Sequence, residues 1–205
     1  MKICAISVDL DEIPNYFKIH GLTAPEKSQA AVYDIAIDRL LGLASAEKIP
    51  LTLFAVGADL ARAESAQKLS EARSKGHEIA NHSLDHRYDL TKLSPAEIEE
   101  QIRGGADVIE KAVGARPTGF RAPGYVITDQ VFSVLRDLDV AYDSSVFPCP
   151  AYNFAKAAKI LHIAIQGKTS RSIVDTPWVL TAPTVPYRIG EHYWKTGSGM
   201  LELPI

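Results

Sequence analysis

The sequence predicts an α/β fold built on a mostly parallel sheet, and three observations predict it. Apolar runs of strand length alternate with stretches whose apolar residues recur at helical spacing. The 205 residues, 46% of them hydrophobic, suffice for one well-buried core and are short for two, so residues 1–205 read as a single domain. No strand carries a Gly-rich dinucleotide fingerprint, which leaves a nucleotide-binding version of the fold with little support.

The elements follow in order. Residues 3–8 are a short β-forming run, with Cys4 expected inside it, buried and inert. Residues 28–47 place Val32, Ile35, Ala36, Leu40, Leu43 and Ala44 at helical spacing. Residues 51–56, introduced by Pro50, form a second strand. A helix over 58–75 follows, which Gly76 stops. Residues 77–80 are a third strand. Ser94-Pro95-Ala96-Glu97 is a capping box with proline at the first helical position, and Ile98, Ile102, Ile109 and Val113 carry one apolar face on to Gly114. A strand over 117–120 precedes a helix capped by Thr128 that carries Val131, Val134, Leu135 and Leu138. Residues 140–142, 160–165, 173–174 and 200–205 are further strands, and 149–169 reads as an irregular insertion. Residues 201–205 look like a strand cut off mid-fold, so the C-terminal part of the domain is expected to lie further along a longer chain.

Composition excludes several classes. A formal net charge of −3, from 22 basic and 25 acidic residues, gives no basic field for nucleic acid. Charge or proline breaks every apolar run before it could span a membrane. Residues 1–8 enter a strand at once and lack a signal peptide's apolar region, which reads as cytoplasmic. Two cysteines, Cys4 and Cys149, cannot build a disulfide framework or a thiolate zinc cluster. A homo-oligomer stays open.

Three constellations carry chemistry. Asp9-Leu10-Asp11-Glu12 follows the first strand. Three acids there repel one another, and a cation would relieve the repulsion, although a solvated loop is the competing reading. In extended chain, positions i and i+2 point the same way, so Asp9 and Asp11 can converge. His82-Ser83-Leu84-Asp85-His86 follows the third strand; two histidines at i and i+4 can share one face of a helical turn and bind one zinc, or form an ordinary polar loop. Asp85 is a support for His86 or a surface acid. Arg121-Ala122-Pro123-Gly124-Tyr125 follows another strand and sets a fixed cation beside backbone that a ligand can approach closely. Each alone has a bland alternative. Together they place two acids, two histidines and a cation after three different strands, whose C-terminal ends open on one face of a parallel barrel.

This set resembles the polysaccharide deacetylases, also named the NodB-homology or carbohydrate esterase 4 family. That family's motifs are an aspartate pair, His-Ser/Thr-x-x-His and Arg-x-Pro. The second is matched by His82-Ser83-Leu84-Asp85-His86 and the third by Arg121-Ala122-Pro123, over residues 3 to about 150. In the first, Leu10 separates Asp9 from Asp11, a spacing similar to a branch that includes deformylases of lipid-linked aminosugars. Tyr142-Asp143-Ser144-Ser145 also looks like a family segment, expected near the substrate groove. The resemblance implies a distorted (β/α) barrel of about seven parallel strands. It implies a divalent metal ion, zinc by preference, on Asp11, His82 and His86, with Asp9 as catalytic base and Arg121 holding Asp9 in place. Gly124 or Tyr125 would meet the oxyanion through a backbone N–H. Aromatic faces would grip a sugar, with Trp178 preferred among Tyr125, Tyr152, Trp178, Tyr187, Tyr193 and Trp194. The family's late Leu-x-His acid is missing before Ile205, leaving His162 or His192 as stand-ins if the chain does not continue.

The implied activity is hydrolysis of a non-peptide amide C–N bond. Removal of N-acetyl or N-formyl from an aminosugar comes first. A small linear or cyclic amide, such as a ureide or imide, is the alternative on the same site. A non-catalytic carbohydrate-binding relative is the alternative of another class. The expected partner is a carbohydrate or small-molecule substrate, without nucleic acid or a transmembrane segment.

Overall fold

The structure is a computed structural model that describes residues 4–19, 21–167, 170 and 172–205. Seven strands form one sheet: β1 (Ser7–Asp9), β2 (Thr52–Ala55), β3 (Glu78–Asn81), β4 (Gly119–Phe120), β5 (Tyr142–Asp143), β6 (Tyr187–Ile189) and β7 (Thr196–Glu202). Their spatial order is β1-β2-β3-β4-β5-β7-β6. Every neighbouring pair from β1 through β5 to β7 is parallel, which bears out the α/β expectation. β6 departs from it. It pairs antiparallel with β7 because only residues 190–195 join them, and so short a connection can make only a hairpin. Among the described residues no pairing joins β1 to β6, so these two strands edge an open sheet.

Among the described residues six α-helices accompany the sheet: α1 (Ile13–Ile19), α2 (Ile37–Glu47), α3 (Ala63–Ser74), α4 (Pro95–Val113), α5 (Asp129–Asp137) and α6 (Pro150–Ile165). The best-signalled helix is the best-formed. Ser94 accepts from the Glu97 amide, the Glu97 carboxylate accepts from the Ser94 amide, and Gly114 closes α4 at a φ of 72°. α4 ties two cores together. Ile98 and Ile102 pack with Phe120, Val131, Leu135 and Val146, while Ile109 packs with Leu41, Leu53 and Leu69. Each such side chain, once buried, contributes about 1.5–3 kcal/mol.

Several expectations are corrected. The stretch 28–47 opens with a widened turn, Val32–Ala36, before α2. Residues 58–75 split into a 3₁₀ turn, Gly57–Ala61, and α3. The sequence predicts an irregular 149–169 with a strand at 160–165; instead Pro150 starts α6, in which Ile163 is buried and Ile160 half-buried while Leu161 and Ile165 are exposed, and residues 168 and 169 lie outside the described residues. Residues 173–174 pair with no strand, and β6 has no counterpart in the sequence reading. Cys4 is exposed, because pairing begins only at Ser7. Among the described residues no helix is long and apolar enough to cross a membrane.

Register positions the chemistry. Asp9 ends β1, Asn81 ends β3 and Phe120 ends β4, so Asp11, His82 and Arg121 all emerge at the same edge of a parallel sheet.

Candidate functional site

The acidic loop is held by its alternate residues. Leu10 is buried in the core, and the Glu12 carboxylate accepts the backbone N–H groups of Val32 and Tyr33, both at 3.1 Å. With those two turned inward, Asp9 and Asp11 line one cleft of about 190 Å³.

The histidine loop is held by α4. The Leu84 amide donates to the Gln101 carbonyl at 2.9 Å, and Asn81 Nδ2 donates to the Ile102 carbonyl at 2.8 Å. A Cβ on Gly105 would stand 2.5 Å from Asn81 Oδ1 and 2.8 Å from the Ser83 carbonyl carbon, so only glycine lets the loop approach. The expected helical turn is absent. Ser83 and His86 adopt left-handed backbone at φ of 68° and 52°, and Ser83 Oγ accepts the His86 amide at 3.2 Å. That curl brings the two rings to 4.8 Å between centroids.

His82 Nε2 lies 3.1 Å from Asp11 Oδ1, and His86 Nε2 lies 3.1 Å from Asp11 Oδ2. These contacts are close, yet Asp11 Oδ1 and both Nε2 atoms have no properly directed hydrogen bond, so the atoms converge on a point and not on one another. Ligands bonded to one zinc at about 2.0–2.2 Å stand about 3.3 Å apart. One ligand atom from each of Asp11, His82 and His86 falls within 4.8 Å of the others. His82 Nδ1 sits 2.7 Å from the Arg121 carbonyl, which only accepts, so the proton is on Nδ1 and Nε2 presents a lone pair. Three buried, orphaned donor atoms of this chemistry fit a divalent cation. Burial alone would raise Asp11, but the adjacent imidazoles of His82 and His86 outweigh it and hold the carboxyl far below the usual range. Burial opposes charge on both imidazoles. At His82 the Asp11 carboxylate prevails and raises the pKa, whereas at His86 burial prevails and lowers it.

Arg121 is buried and fully engaged. It donates to Asp9 Oδ1 at 2.7 Å, to the Ser144 carbonyl at 2.7 Å, to Ser144 Oγ at 2.7 Å and to Ser7 Oγ at 2.9 Å. Its guanidinium lies over the Phe54 ring at 4.0 Å. Tyr142-Asp143-Ser144-Ser145, expected near the substrate groove, backs Arg121 from behind and is not among the residues that line the cleft.

Gly124 and Tyr125 line the cleft as expected. The Tyr125 amide, however, donates to the Ala122 carbonyl at 3.1 Å, so it is not free for an oxyanion; its hydroxyl donates to Asp9 Oδ2 at 2.8 Å instead. Trp178 is displaced. Its short turn, Pro177–Thr181, buries Val179 in the core and leaves the indole 62% exposed, outside the residues that line the cleft. Tyr187 and Tyr193 are core residues, and Tyr152 lines the cleft. His162 and His192 are exposed, bonded to Gln166 and Asp129, and stand apart from it. Asp85 bonds Gln101 and not His86.

Tyr16, Ile19, Tyr88, Lys156 and Ser172 line the cleft and escaped the sequence reading. Tyr16 on α1 donates to Asp11 Oδ2 at 3.3 Å, and burial then Asp11 push its phenol up to about 12. Tyr88 stacks edge-on against His86 with centroids 4.8 Å apart. Lys156 on α6 donates to the Gly124 carbonyl at 2.8 Å. A roomier groove, about 1000 Å³ between α3 and α4, is lined mainly by small and apolar side chains and holds none of these groups.

Comparison with known proteins points to one family. A family model described as polysaccharide deacetylase matches residues 24–142, a span that contains His82, His86 and Arg121 and begins after Asp11. A peptidoglycan-N-acetylglucosamine deacetylase of Bacillus cereus is 29% identical over 126 residues, 62% of this chain and 55% of that protein. Peptidoglycan-N-acetylmuramic acid deacetylase PdaC of Bacillus subtilis is 43% identical over 67 residues, 33% of this chain and 14% of PdaC. The chain spans about half the length of these curated relatives or less. Among solved structures, one assigned as a polysaccharide deacetylase from Mycobacterium smegmatis superimposes with a TM-score of 0.67 at 20% identity, over 98% of this chain and 57% of that one. A carbohydrate esterase 4 pseudoenzyme from Bacillus anthracis reaches 0.52 at 16% identity, over 83% and 52%. At these identities the two structures speak for the fold.

Proposed function

Because the chain belongs to the polysaccharide deacetylase family, we propose that it is a metal-dependent hydrolase removing an N-acetyl group, or in second place an N-formyl group, from an aminosugar. The observation that carries this reading is the convergence of three orphaned ligand atoms, on Asp11, His82 and His86, in one site with the doubly held carboxylate of Asp9. Asp11, His82 and His86 would hold the ion, zinc suiting two imidazoles and a carboxylate, and when bound it supplies Lewis-acid activation of water and of the amide carbonyl.

The chain's own residues supply the rest. Asp9 takes the proton of the attacking water as general base. Arg121 fixes one of its oxygens and the Tyr125 hydroxyl the other, which sets the direction in which the carboxylate can accept. Tyr16, Tyr88, Tyr125 and Tyr152 wall the cleft and offer flat faces to a sugar ring. A second groove of about 520 Å³ shares Ile19, Tyr88 and Ser172 with the first. That adjoining room favours a sugar with neighbouring units over a small ureide. A purely binding role suits the site less well, since sugar binding needs no orphaned metal donors.

The zinc-loaded protein should release acetate from N-acetylglucosamine oligomers and lose that activity to a chelator. Ring-opened acid from a ureide without acetate from the oligomers would move the reading to small amides. Oligomer binding with neither reaction would support the binding relative.

A further inference from the structure

Departure of an amine from a tetrahedral centre needs a proton at nitrogen. Among the described residues, no histidine besides His82 and His86 stands at the cleft. Four tyrosine hydroxyls line it, but burial makes every one of these phenols a weaker acid than usual; among the described residues the cationic side chain that lines it is Lys156. α6 carries it in from outside the sheet, and its Nζ is held at 2.8 Å by the Gly124 carbonyl and at 5.4 Å from the Tyr152 ring centroid. Gly124 itself sits at a φ of 69°, where a Cβ would press to 3.0 Å from the Tyr88 ring, so the carbonyl that aims Lys156 is fixed by a position only glycine fills well. One of three ammonium protons is spent on that carbonyl, and two remain for the cleft.

We propose that Lys156 is the general acid that protonates the leaving amine, an inference that rests on the hydrolase reading above. The step balances. Water's oxygen bonds the acyl carbon and gives a proton to Asp9; the C–N bond breaks as Lys156 gives its proton to nitrogen. Neutral Lys156 and protonated Asp9 then reset by exchange with solvent. Geometry is matched by acidity: burial lowers Lys156 to about 8, partly offset by the charge of Asp175. The other ionisable groups lining its cleft are Asp9 and Asp11 from the β1 loop and the phenols of Tyr16, Tyr88, Tyr125 and Tyr152.

The test compares the zinc-loaded wild type with Lys156→Met and Lys156→Arg, on N-acetylglucosamine oligomers and on an aryl acetate whose phenolate leaves without a proton. Both variants should lose amide turnover on the order of 100-fold further than ester turnover, and the alkaline fall of the wild-type kcat profile near pH 8 should vanish. Arginine keeps the charge but cannot give up the proton, so rescue by Lys156→Arg would make Lys156 an electrostatic contact and overturn the proposal. Equal loss on both substrates, or loss of zinc or of the folded state, would overturn it in favour of a structural role. Wild-type amide turnover in Lys156→Met would also overturn it. Wild-type protein that cleaves neither substrate would bring down the hydrolase reading itself.

Discussion

Asp9 has both carboxylate oxygens engaged, by Arg121 at 2.7 Å and Tyr125 at 2.8 Å, and it stands outside the ligand set. Asp9→Asn keeps the shape and removes the carboxylate proposed as the base. Its kcat should fall about 10²–10⁴-fold while zinc content stays at the wild-type level; full activity in that variant would take Asp9 out of the base role. Much of the site at this scale was legible. His82, His86 and Arg121 stand in spaced motifs, and Asp9 and Asp11 obey the strand rule that i and i+2 face alike. Tyr16, Tyr88 and Lys156 were not legible, since a single tyrosine or lysine carries no spacing signal and each reaches the cleft through packing alone. Trp178 shows the reverse error. Its prolines do place it in a turn, but the turn buries Val179 and pushes the indole out.

α4 does more than fill the core. Its Gly104-Gly105 pair admits the histidine loop, with Leu84 Cδ2 3.0 Å from a Cβ on Gly104 and Asn81 Oδ1 2.5 Å from one on Gly105. Gly105→Ala gains helix propensity of about 1 kcal/mol. It must also push the loop backbone, an overpacking cost of about 1–3 kcal/mol. The outcome expected in a zinc titration is weaker binding by the variant, together with a lower melting temperature; unchanged affinity would show that α4 does not set the loop. The clue was present in the sequence, because two adjacent glycines inside a capped helical pattern ask for a packing reason. α6 was not legible for a different cause. Ile160, Leu161, Ile163 and Ile165 resemble a strand in composition, and Pro150 as a helix start outweighs them only in the folded molecule.

For the whole molecule, the parallel order from β1 to β5 and β7 was readable from alternation, while the β6–β7 hairpin, with its register shift at Arg188/Ile189, was not. The last strand is locked to the rest by a buried acid pair. Asp143 and Glu202 face each other in register on β5 and β7 with no exposure, and Glu202 Oε1 accepts the Val146 amide while its Oε2 has no donor. A proton on Glu202 would relieve the repulsion between the two buried carboxyls. Burial, then the charge of Asp143, raises Glu202 well above its ordinary value of 4.5. A raised folded-state pKa means that the unfolded chain ionises first, so stability falls as pH rises above about 4.5. Glu202→Gln should flatten that fall above pH 4.5 in denaturant melts, and an unaltered slope would remove the pair from the account. At the centre of the molecule, two loops far apart in the chain bring Asp11, His82 and His86 together where one ion would sit, and calorimetric titration of the metal-stripped protein with zinc reads its occupancy directly. The wild type should take up about one ion per chain and His82→Ala should take up none; equal uptake by both would contradict it.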